Sequence, residues 1–170
     1  ELYTNYFHNL DDLPIANARF FNVFGPGEVP GKYRNVIPNF MYWAMNKQAL
    51  PITGNGSETR DWTYVDDIIQ GLTRLGVVDK AIGESINLGS GKDHRVIDMA
   101  NKVNELCDNE AGIEYKERRD WDAKNKLLSS IDKAKKILKY NPVHTFEEGL
   151  ENTHEWFVNN WDNIQKSAEF

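Results

Sequence analysis

Four loops in the sequence concentrate residue types that recognise a ligand: asparagine, arginine, glycine and aromatics at short spacing. They are Arg19-Phe20-Phe21-Asn22-Val23-Phe24-Gly25-Pro26-Gly27, Thr59-Arg60-Asp61-Trp62-Thr63-Tyr64-Val65-Asp66-Asp67, Asn87-Leu88-Gly89-Ser90-Gly91 and Arg118-Arg119-Asp120-Trp121-Asp122. They follow predicted strands, and in an open parallel sheet ligands sit outside the carboxyl ends of the strands. Residues for nucleophilic or metal chemistry are not arranged to act. There is no G-x-S-x-G elbow, no P-loop lysine pattern, and no second histidine to complete a zinc-protease helix around His154-Glu155. His8, His94, His144 and His154 are scattered, as solvated histidines are, and form no metal-ligand set. None of the tyrosines has a lysine four residues later, and no G-x-G-x-x-G or G-x-x-G-x-x-G supplies a dinucleotide phosphate loop. Two loops also have a plainer reading. Arg60 beside Asp61 makes a surface ion pair worth about 0–1 kcal/mol, and Asn22 closes a turn before Gly25.

The elements that would position these loops alternate between strand and helix. Leu2, Tyr6, Phe7 and Leu10 have helical spacing, ended by Pro14. Residues 15–24 are dense in branched and aromatic residues, as a buried strand is, and Gly25-Pro26-Gly27 stops them. A helix is predicted after Pro38 through Met45, a strand over residues 50–53, and a short strand over 63–65. Asp66 or Asp67 would cap the next helix, whose apolar face is Ile68, Ile69, Leu72 and Leu75. Residues 84–88 read as a buried strand, followed by a helix with Val96, Ala100, Val103 and Cys107 on one face. Short strands over 113–116 and 127–131 and a helix over 132–138 come next. The clearest signal is a capping box, Thr145 with Glu148, opening a helix whose stripe is Phe146, Leu150, Phe157, Trp161 and Ile164. This alternation predicts the α/β class.

Composition bounds the function. A chain of 170 residues makes about one domain with a sizeable core. A mean hydropathy of -0.63 without a long apolar run excludes a membrane-spanning helix. The single cysteine, Cys107, excludes a disulfide framework and fits a reducing compartment, the cytoplasm. A net charge of -6 argues against a nucleic-acid polymer or an anionic membrane as partner. The chain opens on Glu1, not Met, so we expect that it does not begin at a natural start.

In this order and at these intervals, the blocks resemble the C-terminal half of the extended short-chain dehydrogenases that act on nucleotide sugars, such as UDP-glucose 4-epimerase and dTDP-glucose 4,6-dehydratase. That family's pattern reads R-x-F-N-V-Y-G-P-G, V-I-P, L-P-I-x-G-x-G, x-R-D-W-x-Y-V-x-D and Y-N-I-G-S-G, then a late arginine before an aspartate. The resemblance runs from Glu1 to about Trp161. It implies the last strands of a Rossmann-type parallel sheet interleaved with a small α/β substrate-binding domain over residues 1–170. It also implies that the NAD or NADP loop, the NAD-binding part and the catalytic Tyr and Lys lie upstream of Glu1. The expected activity is that of an epimerase working through a 4-keto sugar; this chain alone would be inactive. A 4,6-dehydratase or decarboxylase of the same fold and a stand-alone nucleotide-sugar binding module are the alternatives.

The resemblance carries over residue by residue. It assigns Asn22 to the diphosphate of the sugar nucleotide and Phe20 to the nicotinamide side. Asn35 and Val36 match contacts to the nucleotide, and Pro51 to Thr53 the strand against the base. Arg60 and Arg119 match two diphosphate-binding arginines, and Asp122 a group that reaches the ribose hydroxyls. A one-residue shift would put Arg118 in place of Arg119. The chemistry suits these assignments, because a guanidinium clasps phosphate oxygens bidentately in a fixed fork. Two such grips on the nucleotide leave the sugar free to turn. Missing strands would leave a sheet edge exposed, so a homodimer or strand-exchanged oligomer is expected.

Overall fold

The computed structural model describes residues 1–118 and 124–170. Helix α1 (Leu2–Asp11) leads into β1 (Asn17–Phe20) and β2 (Val23–Phe24), then α2 (Val36–Met45) and β3 (Leu50–Thr53). Strands β4 (Thr59–Arg60) and β5 (Thr63–Tyr64) precede α3 (Val65–Leu75). Then follow β6 (Ser85–Leu88), β7 (His94–Arg95), α4 (Val96–Leu106), β8 (Ile113–Lys116) and β9 (Lys126–Leu127). Helices α5 (Asp132–Leu138), α6 (Phe146–Asn159) and α7 (Trp161–Ser167) close the chain.

Four of the five described strand pairings are parallel. β1 pairs with β6, β2 with β5, β3 with β8, and β4 with β9, all parallel. Only β4 with β7 is antiparallel among the described pairs. Parallel neighbours need a crossover, and here helices make the crossovers, as the alternating pattern requires. Two cores result. One gathers Phe24, Phe40, Met41, Leu50, Ile52, Trp62, Leu150 and Phe157; the other packs Ile68, Leu75, Ile86, Leu88, Leu138 and Tyr140. The α/β class and its parallel strands are borne out.

Several local expectations are corrected. The strand over residues 15–24 is two strands, because Asn22 takes φ 32° and breaks the run between β1 and β2. Helix α2 starts before Pro38, at Val36; Pro38 sits in the first turn, where its missing N–H costs nothing. Neither Asp66 nor Asp67 caps α3. Tyr64 holds that position, and Asp67 is only 2% exposed, accepting the backbone N–H groups of Val143 and His144 at 2.9 and 3.2 Å. The buried face of α3 is Asp67, Ile68, Gly71 and Leu75, while Ile69 and Leu72 are exposed. Gly71 is what permits this, since a Cβ there would lie 2.7 Å from the Leu88 side chain. The strand over 127–131 is Lys126–Leu127 alone. The capping box forms as expected: Glu148 N–H donates to Thr145 Oγ1 at 3.1 Å and Thr145 N–H to Glu148 Oε2 at 2.8 Å. The helix it opens breaks at Asn160, yet Leu150, Phe157 and Ile164 stay on one buried stripe.

Candidate functional site

The loops after β2 and β3, the strand β4 and the first turn of α2 surround one cavity of about 610 Å³, within the ordinary range for small-molecule sites. Asn22, Asn35, Val36, Pro51, Thr53 and Arg60 all line it. Six residues chosen from sequence thus meet at one place. Phe20 does not join them: it sits at the end of β1, 52% exposed, away from the cavity lining. Arg119 and Asp122 lie outside the described residues.

Each wall has a local cause. Pro51 and Thr53 alternate with buried Leu50 and Ile52 along β3, so the pleat turns the core residues one way and leaves Pro51 and Thr53 half-buried. Asn22 donates from Nδ2 to the Asp61 carbonyl at 3.2 Å, and its own carbonyl accepts from Thr63 N–H at the same distance. These two bonds tie the first loop to the second. Asn35 donates to Glu28 Oε1 at 2.8 Å across the loop of residues 25–35. Burial pushes the Glu28 carboxyl above its ordinary value, against the opposing pull of Asn35 and Arg34.

Arg60 owes its position to the residue after it. Asp61 is 0% exposed. Its Oδ1 accepts from Thr63 Oγ1 at 3.2 Å, Ser90 N–H at 2.9 Å and Ser90 Oγ at 2.6 Å. Its Oδ2 accepts from Gly91 N–H and Ser129 N–H, both at 3.1 Å, and from the Ser129 hydroxyl. The third loop, Gly89-Ser90-Gly91, therefore spends its N–H groups on a side chain of the second. Gly89 must be glycine for this contact, since a Cβ there would stand 3.0 Å from Asp61 Oδ2 and closer still to Ser129. Tyr140 holds the same loop from below, donating to the Gly89 carbonyl at 3.0 Å. Arg60 and Asp61 are thus not an ordinary surface pair, because the carboxylate is buried among six donors.

The cavity also takes in Trp62 of the second loop and residues that no sequence motif assigned to a site: Lys32, Arg34, Asn39, Phe40, Trp43, Glu58, Val96, Lys116 and Phe170. Four cations, Lys32, Arg34, Arg60 and Lys116, line the cavity with one carboxylate, Glu58, whose Oε1 lies 3.7 Å from Arg118 Nη1; Lys116 Nζ lies 3.4 Å from Glu114 Oε2, outside the cavity lining. An anion suits this balance although the chain as a whole carries -6. The basic residues of the Gly31-Lys32-Tyr33-Arg34 loop were a visible signal. Phe170 was not, since nothing near it in sequence marks a site. Among the described residues no three His, Cys, Asp or Glu side chains gather to hold a metal, and no helix is long and apolar enough to cross a membrane.

Comparison with known proteins places this geometry in context. Residues 1–153 match the family model for GDP-mannose 4,6 dehydratase. The chain is 35% identical over 170 residues to UDP-glucuronate 4-epimerase of Thermodesulfobacterium geofontis, covering 97% of this chain and 50% of that one. It is similar in structure to the epimerase Mth375 of Methanothermobacter thermautotrophicus, with TM-score 0.98 and 70% identity over 99% of this chain and 50% of that one. It is also similar to WbmF of Bordetella bronchiseptica, solved with NAD+ and UDP, with TM-score 0.85 and 33% identity over 97% of this chain and 52% of that one. The chain spans about half the length of each of these three proteins.

Proposed function

The chain belongs to the GDP-mannose 4,6-dehydratase family, and from that premise we propose that its cavity binds the nucleotide of a nucleoside-diphosphate sugar. On this reading the chain is the substrate-binding half of an NAD-dependent nucleotide-sugar epimerase, UDP-glucose 4-epimerase-like, acting through a 4-keto sugar. One observation carries it: Asn22, Asn35, Val36, Pro51, Thr53 and Arg60, assigned to the nucleotide from sequence motifs, line a single cavity with a surplus of cations. The structural likeness to the enzyme WbmF, solved with NAD+ and UDP, supports the nucleotide site, and the likeness to the epimerase Mth375 supports the reaction class.

The chain's own residues bind and orient. Arg60 clasps diphosphate oxygens, with Arg119 as its counterpart, and Asn22 adds an amide donor. Asp122 is proposed for the ribose hydroxyls and Phe20 for the nicotinamide side of the cofactor. Gripping the nucleotide alone leaves the sugar ring free to present either face, which inversion at C4 requires. NAD supplies hydride chemistry in such enzymes. The G-S-G loop of this chain directs its N–H groups to Asp61 rather than outward. The family model's own description keeps 4,6-dehydration as the second reading, and product analysis by NMR on the intact enzyme separates the two.

The reading further proposes a cytoplasmic protein, no nucleic-acid polymer as partner, and a homodimer or strand-exchanged oligomer. Titration of the chain with UDP by calorimetry tests the site. Arg60→Ala is expected to weaken UDP about ten- to hundredfold, the value of charge-assisted hydrogen bonds to phosphate. UDP affinity unchanged by that substitution counts against the diphosphate role.

A further inference from the structure

The end of the described chain returns to the cavity and completes its wall. Glu169 forms an isolated parallel bridge with Gly31, and Lys32 N–H donates to the Glu169 carbonyl at 2.8 Å. Gly31 is fixed from the other side by the buried Asn39 amide, which accepts from Gly31 N–H at 2.8 Å and donates to its carbonyl at 3.0 Å. The approach is close: a Cβ at Gly31 would lie 3.0 Å from the Glu169 carbonyl oxygen. So two independent anchors, one from α2 and one from the C-terminal segment, hold the basic loop of residues 31–34.

Beyond the bridge, Phe170 lays its ring 5.3 Å from Tyr42 and 5.4 Å from Trp43, and Trp43 lies 6.0 Å from Phe40. Phe40, Trp43 and Phe170 all line the cavity that Arg60, Asn35 and Pro51 line, and together they make an aromatic wall. Phe40 is buried, but Phe170 remains 55% exposed despite its two ring contacts. A ring held by backbone pairing and by two neighbouring rings, with half its surface still open beside a cationic cavity, is preorganised to stack on a planar group.

We infer that Phe170 is a binding residue of this site, the aromatic face on which the base of the nucleoside diphosphate stacks, with the C-terminal segment serving as one wall of the pocket. The inference rests on the nucleotide-sugar reading of the cavity and adds to it a residue that no motif marks. It divides the ligand by chemistry: the cations take the diphosphate, and the aromatic wall takes the base. Base–aromatic stacking is sequence-tolerant, because every base offers a π-face.

The test uses two probes, UDP and inorganic pyrophosphate, the second having no base. Phe170→Ala is expected to weaken UDP about tenfold, as loss of one base–aromatic stack does, and to leave pyrophosphate binding unchanged. Phe170→Tyr is expected to restore UDP affinity; Phe170→Leu, apolar without a π-face, is not. Equal loss for both probes overturns the inference, since it shows that the ring only supports the loop. UDP binding that is indifferent to Phe170→Ala overturns it as well, while leaving the nucleotide site standing. A native chain that takes up no UDP overturns the underlying reading and this inference together.

Discussion

Asp61 shows how one buried charge can organise a site without touching a ligand. Six donors from three segments converge on it, and none of them is an ion-pair partner. A carboxylate removed from water needs such donors to replace its hydration. Asp61→Asn keeps the shape but turns one oxygen into a donor facing other donors. One backbone N–H group on the Oδ1 side, or two on the Oδ2 side, then lose their acceptor, a cost of about 1–3 kcal/mol each. The urea midpoint should fall accordingly, and UDP affinity with it, because the residue before it is Arg60. A midpoint unchanged within error would show that the network has an easy rearrangement. The motif around Asp61 was legible in the sequence. Its partners at Ser90 and Ser129 were not, because they lie far along the chain and come near only where β4 pairs with β7 and β9.

At the scale of elements, helix α6 states its own beginning. The capping box satisfies two orphan donors within four residues, so sequence alone locates it. Thr145→Ala should cost about 1 kcal/mol. Hydrogen bonds from the Thr145 backbone and hydroxyl hold the Glu148 carboxyl below its ordinary range. Its contribution is therefore complete above the ordinary glutamate range, and it is lost as pH falls through the lowered folded-state value. The difference in urea midpoint between the native chain and Glu148→Ala should shrink on going from neutral pH to about pH 3, below the ordinary glutamate value near 4.3. A difference that persists there would assign the cap to the threonine hydroxyl alone. Helix α3 is the contrast. Its acidic first turn looked like a cap, but Asp67 turns inward to hold the segment before α6. An aspartate at a helix start is equally good at both tasks, and the choice depends on what packs overhead.

At the scale of the whole molecule, the surface carries a one-sided apolar burden. Helix α1 has no buried residue, and Leu2, Tyr3, Tyr6 and Leu10 are among the most exposed large side chains. Among the described pairs β1 bonds only to β6, which leaves one of its edges without a described strand. Ile69, Leu72, Val77 and Ile82 add further exposed aliphatic surface. Apolar patches and open edges of this kind promote association. Sedimentation equilibrium should accordingly show self-association of the chain at micromolar concentration, and a monomer throughout that range would refute it. Cys107 should take no part: it is buried, and burial pushes its thiol up to about 11, so little thiolate forms near neutral pH.

What the amino-acid sequence by itself determined is what short stretches encode. Glycine and proline punctuation, the Thr145 and Glu148 box, the alternating elements and the ordered loop motifs all act over a few residues, so they can be read without a partner. From these came the α/β class and, through the family resemblance that the ordered motifs carry, six residues that meet in one cavity. Tertiary structure alone decided what depends on distant segments arriving together. Packing against Leu88 chose Gly71 over Leu72 as the inner face of α3. Paired strands turned Asp61 from a surface charge into a buried hub. A bridge from Glu169 to Gly31 carried Phe170 to the rim of the site. Each of these follows from the sum of many long-range contacts, each small, and such a sum leaves no local signature in the residues it selects.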